Sequence, residues 1–270
     1  MTPRMLTLLG LLSGCAWAQQ PFYTDNSGVT DRGKLHFEFF TEMDRLQHSQ
    51  FPDLWQNTTN YRLNYGLPHD LEIDVDNPLL LILRHPTAHP QRPYGFGDTN
   101  LGLKWNFHKE ADGSHVPAMT VTFYTEFPTG DTTNQLGSGV IDYYLNGIAE
   151  KRLSKRTRLI VNGGILFAGN TSTGVIGITT THGRVFTFGS SVIRDFTDRL
   201  QLGVETYGGV TSNFDLGRSQ LQFLAGGKYA ITKDFSFDFG VLGGKYTASP
   251  LIGVQLGFSV DFDPPKVRVH

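Results

Sequence analysis

Thr99-Asn100-Leu101-Gly102-Leu103-Lys104-Trp105-Asn106-Phe107 changes character at every step. Leu101, Leu103, Trp105 and Phe107 fall on one side of an extended chain, and Asn100, Gly102, Lys104 and Asn106 on the other. A period of two is the signature of a strand whose faces meet unlike surroundings. The same alternation recurs outward in both directions. It marks 35–42, 60–67, 71–76, 119–127, 141–146, 159–167, 202–204, 221–229, 235–241 and 254–262, with a less regular stretch at 185–193. Together these predict ~12 strands, a size that antiparallel barrels use. No intervening stretch carries an apolar stripe of period 3.6, which excludes an alternating strand–helix architecture.

The connections alternate as well. Long ones at about 45–58, 80–97, 128–138, 168–182, 211–218 and 245–250 take turns with short ones at 67–70, 154–156, 196–199 and 231–234, while 108–115 is of middling length. Barrels in the bacterial outer membrane put short turns at the periplasm and longer loops outside, with both termini inside when the strand count is even. A soluble sandwich has no reason to follow that order. The fold predicted is therefore all-β, a transmembrane antiparallel β-barrel over residues 33–262.

Residues 1–18 stand apart. Arg4 gives a positive start, Met5 to Leu12 an apolar run, and Ala16-Trp17-Ala18 the small-x-small pattern cut by signal peptidase. The run is too short for a membrane-spanning helix. Leu12-Ser13-Gly14-Cys15 also fits a lipobox, in which Cys15 would be lipidated; cleavage after Ala18 and processing at Cys15 both remain open, and both mean export. Cys15 is the single cysteine, so no disulfide within the chain is expected. Residues 19–32 are polar and turn-rich, a candidate plug, and 263–270, opened by Asp263-Pro264-Pro265, form a predicted periplasmic tail.

Composition agrees. The chain has 31 Gly, 20 Phe and 10 Tyr, only 18% charged residues and a net charge of −2. No basic field suggests nucleic acid. A mean hydropathy of −0.22 excludes a helical membrane protein but suits a barrel, which is apolar on one side of each strand.

The polar faces name the lumen-lining candidates: Glu38, Arg62, Glu72, Asp74, Asp76, Asp98, Lys104, Glu126, Asp142, Glu205, Lys228 and Asp238, with Glu42 and Glu150 beside them. Acids outnumber bases, as suits polar or cationic solutes; an ion-paired filling of a narrow barrel would use the same residues. Glu72, Asp74 and Asp76 form the densest acidic row and are expected to pair with Arg62 and Lys104 on adjoining strands rather than to bind a metal. Tyr65, Trp105, Phe107, Phe127, Tyr229 and Phe262 end the apolar faces, where lipid meets headgroup. Pro86 and Pro90 prevent the helix that would join His85 to His89 in a metal site. There is no Gly-x-Ser-x-Gly elbow, and the apolar faces carry no Ser–His pair of the kind an outer-membrane phospholipase needs. No enzyme, cofactor or metal is predicted.

The stretch from Tyr94-Gly95-Phe96-Gly97-Asp98 to Gly102-Leu103-Lys104-Trp105 resembles the outer-membrane family described as "MetA-pathway of phenol degradation". Tyr65-Gly66-Leu67 followed by Leu71-Glu72-Ile73 is similar to that family's preceding hairpin, and Glu126-Phe127-Pro128-Thr129-Gly130 to its next strand; the resemblance spans about 30–262. It implies an outer-membrane channel or transporter passing small molecules, hydrophobic or aromatic compounds among them. The expected partners are outer-membrane lipid, a small solute and the barrel-assembly machinery. A structural or adhesion barrel without transport is the alternative.

Overall fold

The computed structural model describes residues 21–47, 55–84, 90–134, 136–167, 184–211, 220–246 and 249–264. The leader with Cys15, His85, His89 and the tail beyond 264 lie outside them. The strands are β1 (Leu35–Arg45), β2 (Trp55–Leu67), β3 (Leu71–Leu83), β4 (Tyr94–Phe96), β5 (Thr99–His108), β6 (Ala118–Phe127), β7 (Asp142–Ser154), β8 (Thr157–Phe167), β9 (Arg184–Asp195), β10 (Leu200–Thr211), β11 (Gln220–Ala230), β12 (Phe235–Gly244) and β13 (Ile252–Phe262). Each long strand pairs antiparallel with its neighbours in sequence. The first and last strands pair from Leu35↔Phe262 to Arg45↔Ile252, so the sheet closes. Twelve strands form the wall, and β4 caps the far half of β3.

That thirteenth strand departs from the sequence reading, which left 80–97 as a loop. β3 runs on to Leu83, pairing with β5 from Leu71 to Asp76 and with β4 from Leu79 to Leu81. Between these ladders Asn77 and Pro78 face Gly97, Asp98 and Thr99, one residue more on the second side. Pro78 has no N–H to give, so the ladder breaks there and continues after a bulge. Its carbonyl still accepts a 2.7 Å bond from the Gly97 N–H.

The wall is apolar outside and polar inside, the reverse of a soluble core. Leu101, Leu103, Trp105 and Phe107 are 44–49% exposed, while Lys104 and Asn106 between them are buried. Aromatic rings continue the outer belt across strands: Phe258 stacks on Phe39 at 5.1 Å, and Phe39 meets Tyr61 edge-on at 5.4 Å. A hydrocarbon layer would satisfy no unpaired backbone group, so closure is what lets such a sheet live there.

The short turns gather at one end with residue 34 and Phe262, and the long loops at the other. The 109–117 connection at the turn end is clasped to β7. Burial opposes ionisation of Glu110, but bonds from Lys151 Nζ (2.5 Å) and the Arg152 N–H (2.9 Å) hold its carboxyl below the usual range.

Inside, a tyrosine ring from one strand lies over a glycine of the next. A Cβ on Gly102 would stand 2.2 Å from the Tyr124 ring, and the Tyr124 hydroxyl reaches across β5 to donate to Asp74 at 2.8 Å. Tyr144 lies over Gly164 in the same way and shares a 2.9 Å hydroxyl contact with Thr187. Gly102→Val should therefore lower unfolding stability by ~1–3 kcal/mol through overpacking, and Tyr124→Phe by about 1–2 kcal/mol through the lost bond. Urea titration in detergent measures both, and a wild-type midpoint for Gly102→Val would remove the ring from that glycine.

Candidate functional site

Pro21 to Lys34 form no strand, and their polar backbone must find partners other than a ladder. They find them inside the barrel. At the turn end Arg32 makes a parallel bridge with Gly66, and the Gly33 N–H donates to the Gly66 carbonyl at 2.8 Å. A Cβ on Gly66 would stand 2.1 Å from the Asp31 carbonyl oxygen, so only glycine lets the segment pass this close. From there the chain climbs the interior.

Three glutamates take its N–H groups. Glu72 accepts from Thr30 (2.5 Å), Glu150 from the Ser27 N–H (3.0 Å) and hydroxyl (2.9 Å), and Glu205 from Tyr23 (3.0 Å) and Thr24 (2.5 Å). Asn106 and Thr120 both donate to the Ser27 carbonyl, at 2.6 and 2.7 Å. Lys104, itself buried, closes an ion pair on the half-buried Asp25 at 2.8 Å. The Tyr23 hydroxyl donates to Glu42 and accepts from Gln255.

The upper end of the segment is apolar. Phe22 packs among Ile148, Ile160, Ile193, Leu224 and Leu242, all inward and all buried. Alternation alone missed this patch, since it assigned every inward position to polar company. The signal was present, because Leu159-Ile160-Val161, Val192-Ile193, Phe223-Leu224 and Val241-Leu242 are apolar on consecutive residues where a strict barrel strand would alternate. Such runs mark a wall buried on both faces.

The other inward candidates divide into groups. Glu38 faces Arg62 (3.5 Å) and His36 (3.3 Å), and Arg62 also reaches Asp76 (3.3 Å). Arg62 thus pairs within the acidic row as the sequence predicts, but Lys104 goes to Asp25 instead. Lys228 lies 3.5 Å from Asp238 and donates to Ser259. Asp98, at the bulge, accepts the N–H groups of Gly130 (2.9 Å) and Ser138 (2.6 Å) and so folds the 128–141 loop inward. That loop brings Leu136 onto Leu80 and Ile82.

Between the segment and the loop end lies a cavity of about 330 Å³, the size of a small-ligand pocket. Asp76, Asp98, Glu126 and Asp142 line one side; Phe40, Tyr207, Phe22 and Tyr23 line others. Tyr23 stacks on Tyr207 at 5.7 Å. No group of three or more metal-ligating side chains occurs among the described residues.

A family model described as "MetA-pathway of phenol degradation" matches residues 21–262, from the first residue of the inner segment to the last of β13. The chain belongs to that family. No curated protein matches it in sequence. Among solved structures it is similar to the COG4313 outer membrane channel from Pseudomonas putida F1, with TM-score 0.64 and 14% identity over 87% of this chain and 98% of that one. It is also similar to the NanC porin, with TM-score 0.55 and 8% identity over 84% and 98%. The translocator domain of the autotransporter NalP from Neisseria meningitidis gives TM-score 0.50 and 9% identity over 85% and 88%. At such identities the likeness is one of fold. A shape shared by channels, porins and a translocator leaves the activity to be argued from the lumen.

If Glu205 and Phe22 anchor the upper segment, Glu205→Ala and Phe22→Ala should each speed backbone hydrogen exchange across 21–27 by ~10–100-fold, since each removes an anchor of roughly 1.5–3 kcal/mol. Exchange read by mass spectrometry in detergent checks this. Unchanged protection in both variants would mean that the segment is held elsewhere.

Proposed function

We propose that the protein is an outer-membrane channel for small solutes, hydrophobic or aromatic ones among them, with residues 21–32 as the plug that sets its bore. The observation that carries this is the 330 Å³ chamber, walled partly by aromatic rings, between the plug and the loop end of a closed barrel. An apolar exterior and a wet interior give such a chamber a route across lipid. Membership of a family described by phenol degradation supports aromatic solutes.

In this reading the turn end faces the periplasm and the barrel-assembly machinery inserts the chain. Tyr65, Trp105, Phe107, Tyr229 and Phe262 sit at the periplasmic headgroup boundary and Phe127 at the outer one; all six side chains are at least 38% exposed. Cleavage after Ala18 fits the plug better than lipidation at Cys15. Six residues of extended chain reach about 20 Å, and a lipid on Cys15 would have to leave a closed wall within that span of Pro21.

The dense bonding of residues 21–32 to the wall also favours a second reading, a barrel filled for rigidity that passes nothing. Planar-bilayer current and liposome uptake separate the two. A channel gives small but measurable solute flux in the wild type, and Phe22→Ala combined with Glu205→Ala raises its conductance several-fold. Wild-type liposomes with no uptake beyond that of protein-free vesicles, the protein being folded by heat-modifiable migration, would reject transport.

A further inference from the structure

The chamber's walls differ in chemistry in a way that selects a solute. Arg62, Asp76, Asn100, Glu126 and Asp142 occupy one row, each the register partner of the next across five adjacent strands. The only cation in that row, Arg62, is shared by Glu38 and Asp76. Asp98 is occupied by the Gly130 and Ser138 N–H groups. Glu126 faces Asp98 and Asp142 and, among the described residues, forms no ion pair. This arc spans β2 to β7, and Phe40 on β1 and Tyr207 on β10 lie on strands beyond either end of it, with Phe22 and Tyr23 of the plug between.

A second observation points the same way. Thr122, Asn146 and Gln255 line the chamber and are at most 4% exposed, and the Thr122 hydroxyl oxygen, Asn146 Oδ1 and Gln255 Oε1 are buried with no hydrogen-bond partner among the described residues. Thr122 and Asn146 are register partners on the same inward face, four residues from Glu126 and Asp142 along β6 and β7. Buried acceptors left unpaired cost free energy until a donor meets them. The amide oxygens accept only, and the hydroxyl can do so. An aryl carboxylate would bring more acceptors and a like charge to this wall.

Resting on the channel reading above, we propose that the chamber is a binding site for aromatic molecules whose polar head donates hydrogen bonds or carries positive charge, and that it rejects aryl carboxylates. The ring lies against Phe40, Tyr207 and the plug aromatics, and the head faces the wall that carries Glu126, Thr122 and Asn146.

Benzamidinium, benzamide and benzoate share one shape and differ in charge and donors, so they form the test set. Binding to the full-length protein in detergent is measured by titration calorimetry and flux by uptake into proteoliposomes. The expected order in both is benzamidinium, then benzamide, then benzoate. The first and last should differ by at least ~10-fold, as expected for a charge-assisted bond. Glu126→Gln should shrink that ratio, and Thr122→Val, nearly isosteric, should weaken benzamidinium and benzamide together. Selective binding without flux would sink the channel reading and leave the site. Flux or binding in which benzoate equals or exceeds benzamidinium would overturn the site, and neither binding nor flux would overturn both.

Discussion

A lipid layer offers the backbone no hydrogen bonds, and every other feature of this molecule answers to that. Closing the sheet through the β1–β13 pair removes the last open edge from the wall. Closure turns the apolar side chains outward and traps a polar set within. A barrel of this girth is too wide for its own side chains to fill and too narrow to leave charges fully hydrated. The inward carboxylates therefore need partners, and the N-terminal segment supplies them. Glu72, Glu150 and Glu205 do for that segment's N–H groups what a neighbouring strand would otherwise do.

The glycine-rich motif by which the family is recognised takes on physical meaning in this light. Gly97 and Asp98 sit where Pro78 interrupts the ladder, and Asp98 uses the freed geometry to hold the 128–141 loop in the lumen. Gly102 makes room for the Tyr124 ring, and Lys104, two residues on and on the same face, reaches Asp25 of the inner segment. Gly66, in the hairpin before it, is bare because the Asp31 carbonyl passes over it. The motif thus records where the wall meets what it encloses.

Period-two alternation made the strands, their number in the wall and the side of each residue legible, because a two-sided environment imprints a two-residue repeat. The alternation of loop lengths likewise disclosed which ends of the strands lie together. The break at Gly97 and the short β4 were not readable, since Pro78 ends one ladder without erasing the apolar run Leu79-Leu80-Leu81 beyond it. The path of residues 21–32 was hidden for a different reason. Its bonds go to side chains up to 232 residues away, and no local pattern announces such partners. The apolar inner patch was written in the sequence, as consecutive apolar residues on β8, β9, β11 and β12, but a strictly alternating template discounts them.

The pairing of the first strand with the last has a consequence for biogenesis. The circle cannot be completed until β13 has been synthesised and delivered, whereas the segment that ends up enclosed precedes β1 in the chain. It is joined to β1 at Lys34, the very strand that waits longest for its second neighbour. Closure therefore seals the wall around a thread that bonds to β3, β7 and β10 through Glu72, Glu150 and Glu205, and so ties together strands that are not neighbours in the sheet.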